Sequence, residues 1–282
     1  MDTITKLGNE GLIPVVVIEN AGDAAKTAKA LLDGGIGVME ITMRTPAGID
    51  AIRNVKSAYP EMLTGAGTVL SLDKAKESVD AGAEFIVTPG FSDEIVGWCI
   101  DNKIAITPGC VTPTEISHAL SFGLNVLKFF PAGVFGGLEG MKALNGPFGM
   151  VSFIPTGGIS EANLGDYADK PFIHAIGGAF LAKTADIRNG KFEDITNTAA
   201  ASIGTLLGLD LTHVERELAR ETGPGANGRL DLRTNNIFRA IYHLQKRGIE
   251  ADPGTAEEKN GKVIAICLKG GFGGCAVRLL QR

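Results

Sequence analysis

A lysine sits inside an apolar run, Asn125-Val126-Leu127-Lys128-Phe129-Phe130-Pro131. Lysine is among the residue types least often buried. Burial disfavours an ammonium and so favours the neutral, nucleophilic amine, which can form a Schiff base with a ketone. The bland alternative is a lysine at a strand end whose head reaches solvent. A second run, Val38-Met39-Glu40-Ile41-Thr42-Met43-Arg44, alternates apolar and polar residues. With period 2, Glu40, Thr42 and Arg44 share one face and Met39, Ile41 and Met43 the other. A carboxylate, a hydroxyl and a guanidinium on one face offer proton transfer and carboxylate binding. The alternative is a Glu40–Arg44 ion pair that merely fills space, since an unpaired inward charge is costly.

Glycines at the ends of later apolar runs suggest anion binding. Pro155-Thr156-Gly157-Gly158-Ile159-Ser160 and Ile176-Gly177-Gly178-Ala179 each place small residues where backbone amides can face a ligand. Gly65-Ala66-Gly67-Thr68-Val69 and Thr88-Pro89-Gly90 lie at two further run ends. Either of those two, taken alone, reads equally as a tight turn.

Eight short apolar runs position these residues: Ile13–Ile18, Val38–Met43, Leu63–Ala66, Phe85–Thr88, Ile104–Thr107, Val126–Phe130, Val151–Pro155 and Ile173–Gly177. Eight helical segments follow them in alternation: Ala21–Leu32, Ala47–Ala58, Asp73–Ala81, Asp93–Asn102, Pro113–Phe122, Leu138–Leu144, Glu161–Tyr167 and Phe192–Leu207. Such alternation predicts βαβ units, and eight of them predict an α/β fold of the (β/α)8 TIM-barrel type. In that fold the active site lies at the C-terminal ends of the strands, where all the candidate residues fall. The alternative is an open, doubly wound sheet. Its glycine fingerprint is missing after the first strand, which continues Glu19-Asn20-Ala21-Gly22.

Composition changes near residue 208. Residues 1–208 carry 15 Lys/Arg and 23 Asp/Glu, a net −8, whereas residues 209–282 carry 12 and 9, a net +3. A Gly- and Pro-rich stretch, Thr222–Gly228, precedes a strand (Leu230–Arg233), a helix (Asn236–Arg247) and two strands (Val263–Leu268 and Ala276–Leu280). The expected organisation is therefore a barrel domain over 1–208 and a small α+β (βαββ) extension over 209–282.

The whole chain has a net charge of −5, and no basic run points to a nucleic-acid partner. No apolar stretch approaches the roughly 18 residues of a membrane span, and residues 1–11 lack the apolar core of a signal peptide. Cys99, Cys110, Cys267 and Cys275 form no CxxC pair and read as reduced thiols of a cytoplasmic protein. His213 and His243 have no carboxylate at metal-ligand spacing, so no metal site is expected. The 38 glycines, about 13% of the chain against an average near 7%, lie largely between the apolar runs and so punctuate connections.

The motifs Glu40-Ile-Thr-Met-Arg44-Thr45, Gly65-Ala-Gly-Thr-Val69, Pro89-Gly90, Lys128-Phe-Phe-Pro131 and Pro155-Thr-Gly-Gly158 resemble those of the 2-keto-3-deoxy-6-phosphogluconate (KDPG) aldolases, also known as 4-hydroxy-2-oxoglutarate aldolases. The resemblance spans about residues 8–207. It implies a class I aldolase that cleaves a 2-keto-4-hydroxy acid to pyruvate and an aldehyde. It also implies a homotrimer without metal or organic cofactor. Lys128 becomes the Schiff-base lysine and Glu40 the general acid/base. Arg44 and Thr68 hold the pyruvate carboxylate, and Pro89 and Phe130 line the pyruvate pocket. Thr156, Gly157, Gly158, Gly178 and Ala179 contact the rest of the substrate, including its phosphate.

One departure concerns Ala179, where the family commonly has serine. A lost hydrogen bond to a charged group is worth roughly 1.5–3 kcal/mol, which raises the standing of the unphosphorylated substrate 4-hydroxy-2-oxoglutarate. The tail, through Gly228-Arg-Leu-Asp-Leu-Arg-Thr234 and the last strand, resembles one half of a glyoxalase-like module. Two other readings of the barrel stay open: a different phosphosugar enzyme, and a non-catalytic pyruvate-binding barrel.

Overall fold

The computed structural model describes residues 1–215, 228–272 and 275–282, without the side chains of residues 210–215. The stretch at 222–227 and the side chain of His213 therefore lie outside the described residues. The chain divides into two compact units, Met1–Ile203 and Gly204–Arg282.

In the first unit, strands and helices alternate: β1 (Leu12–Val16), α2 (Ala24–Asp33), β2 (Val38–Thr42), α3 (Gly48–Ala58), β3 (Leu63–Gly67), α4 (Leu72–Asp80), β4 (Phe85–Val87) and α5 (Asp93–Asp101). There follow β5 (Ala105–Thr107), α6 (Pro113–Ser121), β6 (Val126–Phe129), α7 (Gly137–Asn145), β7 (Ser152–Pro155), α8 (Leu164–Ala168), β8 (Ile176–Gly178), α9 (Thr184–Arg188) and α10 (Phe192–Leu207). A helix absent from the sequence expectation, α1 (Thr3–Glu10), precedes β1. Asp2 caps it by accepting from the Thr5 amide at 2.9 Å, and Gly11 ends it in the left-handed region.

Strands β5-β4-β3-β2-β1-β8 form one parallel sheet and β6-β7 a second. Two bridges close the ring: Gly109 to Lys128 joins the end of β5 to β6, and Thr156 to Gly177 joins the end of β7 to β8. The eight expected strands thus form a closed (β/α)8 barrel. Parallel register aligns Val15, Glu40, Gly65, Phe85 and Ala105 in one row and Val16, Ile41, Ala66, Ile86 and Ile106 in the next. The second row is wholly apolar and faces the helices. The first faces the barrel interior, where the Phe85 ring occupies the space that a side chain on Gly65 would need. The first and last helices of the ring also meet, since the Thr196 hydroxyl of α10 donates to the Ala30 carbonyl of α2 at 3.0 Å.

Local differences from the sequence reading have local causes. The expected helix from Glu161 begins only at Leu164. The Asn163 side chain holds residues 158–163 in a turn, accepting from the Ser160 amide at 2.8 Å and donating to the Gly158 carbonyl at 2.9 Å. After β8 come a short 3-10 turn, Ala179–Ala182, and α9, both too brief to show a helical period.

The second unit is a five-stranded sheet in the order β11-β12-β13-β10-β9. Its elements are β9 (Asp210–Glu215), β10 (Arg229–Thr234), α11 (Ile237–Gln245), β11 (Ala251–Lys259), β12 (Lys262–Phe272) and β13 (Cys275–Gln281). The expected βαββ core corresponds to β10, α11, β12 and β13; β9 and β11 extend it. Leu230 pairs with Val277 and Leu232 with Leu279 on one face of the sheet. On the other face the Asp231 carboxylate accepts from Arg229 at 2.9 Å and from Arg278 at 3.0 and 3.1 Å. No helix among the described residues is long and apolar enough to cross a membrane.

Candidate active site

Lys128 lies in β6 and Glu40 in β2, on opposite sides of the barrel. Their side chains meet inside it, with Lys128 Nζ 3.4 Å from Glu40 Oε1. Both residues are almost wholly buried, at 5% and 3% exposure. A lysine so enclosed is not a snorkelling strand-end lysine. Its ammonium also lies 5.3 Å from the centre of the Phe130 ring, within cation–π range.

The glycine at position 67 makes room for this pair. A Cβ placed there would stand 2.0 Å from Glu40 Oε1. Gly109 has a comparable role: its Cβ would lie 2.1 Å from the Pro89 carbonyl oxygen. That close approach brings the Thr88-Pro89-Gly90 turn beside the residue that bridges to Lys128. In the sequence the motif around Gly67 carries no sign of this function, and nothing marks Gly109, because both close approaches are made between strands.

Arg44 forms no ion pair with Glu40; its Nε donates to the Thr68 hydroxyl at 3.2 Å. Glu40 is thus paired with Lys128, and the space-filling Glu40–Arg44 reading falls. Arg44 is exposed and Thr68 half-buried, so both stand above the Lys128–Glu40 pair at the barrel mouth. Thr68 has φ +55°. A β-branched residue rarely adopts that conformation, and holding it there costs about 1–3 kcal/mol. Thr42, on the same face as Glu40, donates instead to the Val16 carbonyl at 3.1 Å, a structural link between β2 and β1.

A second group lies at the ends of β7 and β8. Gly157 and Gly158 have φ +86° and +83°, values that favour glycine, and a Cβ on Gly157 would touch the Phe130 ring at 3.3 Å. The Thr156 hydroxyl is buried without a hydrogen-bond partner. It points across the bridge to β8, where a Cβ on Gly177 would be 2.2 Å from it. Gly178 is buried and Ala179 exposed, at the start of the 3-10 turn. The structure therefore brings together Lys128, Glu40 and Phe130 by direct contact, Arg44 with Thr68, and Gly157 with Phe130.

Cys110 is the other potential nucleophile nearby, and its amide donates to the Lys128 carbonyl at 2.9 Å. Burial, helped by the Glu115 charge, pushes its thiol up to about 12. The thiolate is therefore scarce at neutral pH, and Cys110 is a poor nucleophile. Two surface hollows lie apart from this chemistry. One, about 520 Å3, lies between α2 and α10; the other, about 200 Å3, adjoins Glu19, Asn20 and Arg188. The chemistry follows the convergent polar groups rather than the larger hollow.

The sequence profile of the KDPG and KHG aldolase family matches residues 3–198. The chain is 42% identical over 185 residues to the 2-dehydro-3-deoxy-phosphogluconate aldolase of Treponema pallidum, covering 66% of this chain and 88% of that one. It is 38% identical over 192 residues to the KHG/KDPG aldolase of Escherichia coli, covering 68% and 90%. Among solved structures, the KDPG aldolase of Legionella pneumophila aligns with a TM-score of 0.69 at 35% identity, covering 71% of this chain and 98% of that one. In that crystal structure pyruvate is captured as a covalent carbinolamine.

Proposed function

The chain belongs to the KDPG and KHG aldolase family and is a class I, pyruvate-dependent aldehyde-lyase, and from that premise we propose the role of each site residue and the substrates it takes. The substrates are 2-keto-4-hydroxy acids, namely 2-keto-3-deoxy-6-phosphogluconate and 4-hydroxy-2-oxoglutarate. The products are pyruvate and, respectively, glyceraldehyde 3-phosphate and glyoxylate. The observation that carries the assignment is the buried amine of Lys128, 3.4 Å from a buried carboxylate inside the barrel.

The Lys128 amine attacks the C2 carbonyl carbon to give a carbinolamine. Loss of water forms a protonated imine, which acts as an electron sink. Glu40, directly or through a water, removes the C4 hydroxyl proton. The C3–C4 bond breaks, its electron pair passes into the enamine, and the aldehyde leaves. Reprotonation at C3 and hydrolysis of the imine release pyruvate and restore Lys128. At 3.4 Å from Nζ, Glu40 is also placed to shuttle protons during imine formation. Arg44 binds the substrate carboxylate and Thr68 supports it. With Pro89 and Phe130 lining the pocket, this holds the keto carbon at the amine. Thr156, Gly157, Gly158, Gly178 and Ala179 form the subsite for the rest of the substrate, and the unpaired Thr156 hydroxyl supports that reading.

The aldolase domain comprises residues 1–208, and residues 209–282 form an extension that supplies no catalytic group. The chain acts as a homotrimer, a reading supported by exposed apolar side chains on the first unit such as Leu70, Val134 and Met150. It works in the cytoplasm, in keeping with four cysteines that form no disulfide.

The experiment is a coupled assay of pyruvate release, in one preparation, from 2-keto-3-deoxy-6-phosphogluconate, its unphosphorylated form, its C4 epimer and 4-hydroxy-2-oxoglutarate. The reading expects turnover of the first and last, lost in Lys128→Ala and slowed in Glu40→Gln. Full activity in Glu40→Gln would remove Glu40 from the mechanism.

A further inference from the structure

Two loops flank the Gly157–Gly158 and Gly178–Ala179 cradle, and a single ion pair joins them. Lys183 Nζ lies 3.8 Å from Glu161 Oε1, with both side chains more than half exposed. The backbones on each side are fixed. Asn163 ties the loop that carries Glu161, while the Lys183 carbonyl accepts from the Asp186 and Ile187 amides at 2.9 and 3.1 Å. Among the described residues the two side chains make no other ion pair.

A second cation at this barrel mouth is held more tightly: Arg188 makes two hydrogen bonds to Glu19 at 2.6 and 2.8 Å. Exposed pairs of the Lys183–Glu161 kind contribute little and yield readily to a better partner. Below them, the buried, unpartnered hydroxyl of Thr156 lies between the two glycine pairs and independently marks this end of the barrel as one that takes a polar group.

We propose that Lys183 is a specificity-determining residue: its ammonium leaves Glu161 to pair with the acidic group at the end of the substrate remote from the keto carbon. This rests on the aldolase reading above and deepens it. A charge-assisted contact from a mobile lysine takes a phosphate or a carboxylate alike, because an ammonium acts as a point charge rather than a shaped fork. It offsets the missing hydroxyl at Ala179 without demanding a phosphate. Glu161 competes for the same ammonium and so tempers its hold on the distal acid.

The test measures kcat and KM of the full chain, Lys183→Ala, Lys183→Arg and Glu161→Gln. The substrates are 2-keto-3-deoxy-6-phosphogluconate, 4-hydroxy-2-oxoglutarate and unphosphorylated 2-keto-3-deoxygluconate. Lys183→Ala is expected to lower the ratio of kcat/KM for each acid-ended substrate over the neutral-ended one by about 10- to 100-fold, through KM. Lys183→Arg restores most of that ratio, and Glu161→Gln raises it. A loss confined to the phosphorylated substrate makes phosphate the ligand; a loss on both makes it any distal acid. Equal losses on all three substrates, or an unchanged ratio, overturn the proposal. Borohydride trapping of pyruvate on the wild-type chain is run alongside, because its failure would overturn the aldolase reading instead.

Discussion

Replacing Gly67 with alanine tests how tightly the position of Glu40 is specified. The added Cβ would stand 2.0 Å from Glu40 Oε1, 2.5 Å from Cγ and 2.6 Å from Cδ. Ordinary contact begins at 3.4 Å, so the carboxylate oxygen must retreat by about 1.4 Å. Gly67 does not have a positive φ, so alanine meets no backbone obstacle and the effect falls on the carboxylate. A displacement of that size separates Glu40 from Lys128, now at 3.4 Å. Misplacing a catalytic group by about 1 Å can cost about 100-fold, or about 2.7 kcal/mol of transition-state stabilisation. Overpacking should also lower stability by about 1–3 kcal/mol. The assay is kcat for pyruvate release, read beside circular dichroism to establish folding. Wild-type kcat in folded Gly67→Ala would refute the reasoning.

Other consequences follow from the same geometry. Lys128→Met leaves Glu40 buried and unpaired and should destabilise by about 3–5 kcal/mol, whereas Lys128→Met with Glu40→Leu should be at least as stable as the wild type. Denaturant unfolding of both variants checks this. Thr68→Gly should relieve about 1–3 kcal/mol of strain, less roughly 0.5–1 kcal/mol of glycine entropy, while raising KM because Arg44 loses its partner; an unchanged KM would detach Thr68 from substrate binding. In the second unit, burial works against the Asp231 carboxylate, but hydrogen bonds from Arg278 and Arg229 outweigh it and hold its pKa below the usual value. Its stabilisation is therefore full above the unfolded-state value near pH 4 and is lost as pH falls through the lower folded one. Asp231→Asn should flatten stability against pH in that acid window, and an unchanged slope would contradict the assignment.

The barrel was legible because its strands and helices alternate with distinct periods, and Lys128 and Glu40 because polar residues stood out within apolar strands. Other features were hidden for physical reasons. Helix α1 has few apolar positions, and its signal is a cap at Asp2. Strand β11 is a polar sheet edge containing Pro253 and Gly254, so alternation could not reveal it. The tight turn Asn260-Gly261, with φ +53° and +72°, is a strong hairpin signal and could have done so. The space left by Gly67 and the close approach at Gly109 depend on contacts between strands. The Lys183–Glu161 pair joins residues far apart in sequence, so spacing alone could not disclose it.

The central claim is that the amine of Lys128 forms the imine. Incubation with pyruvate and borohydride, then digestion and mass spectrometry, tests it most directly. The account predicts a reduced pyruvate adduct on Lys128, retained in Glu40→Gln. No adduct, or an adduct on Lys142 or Lys183 instead, would contradict it.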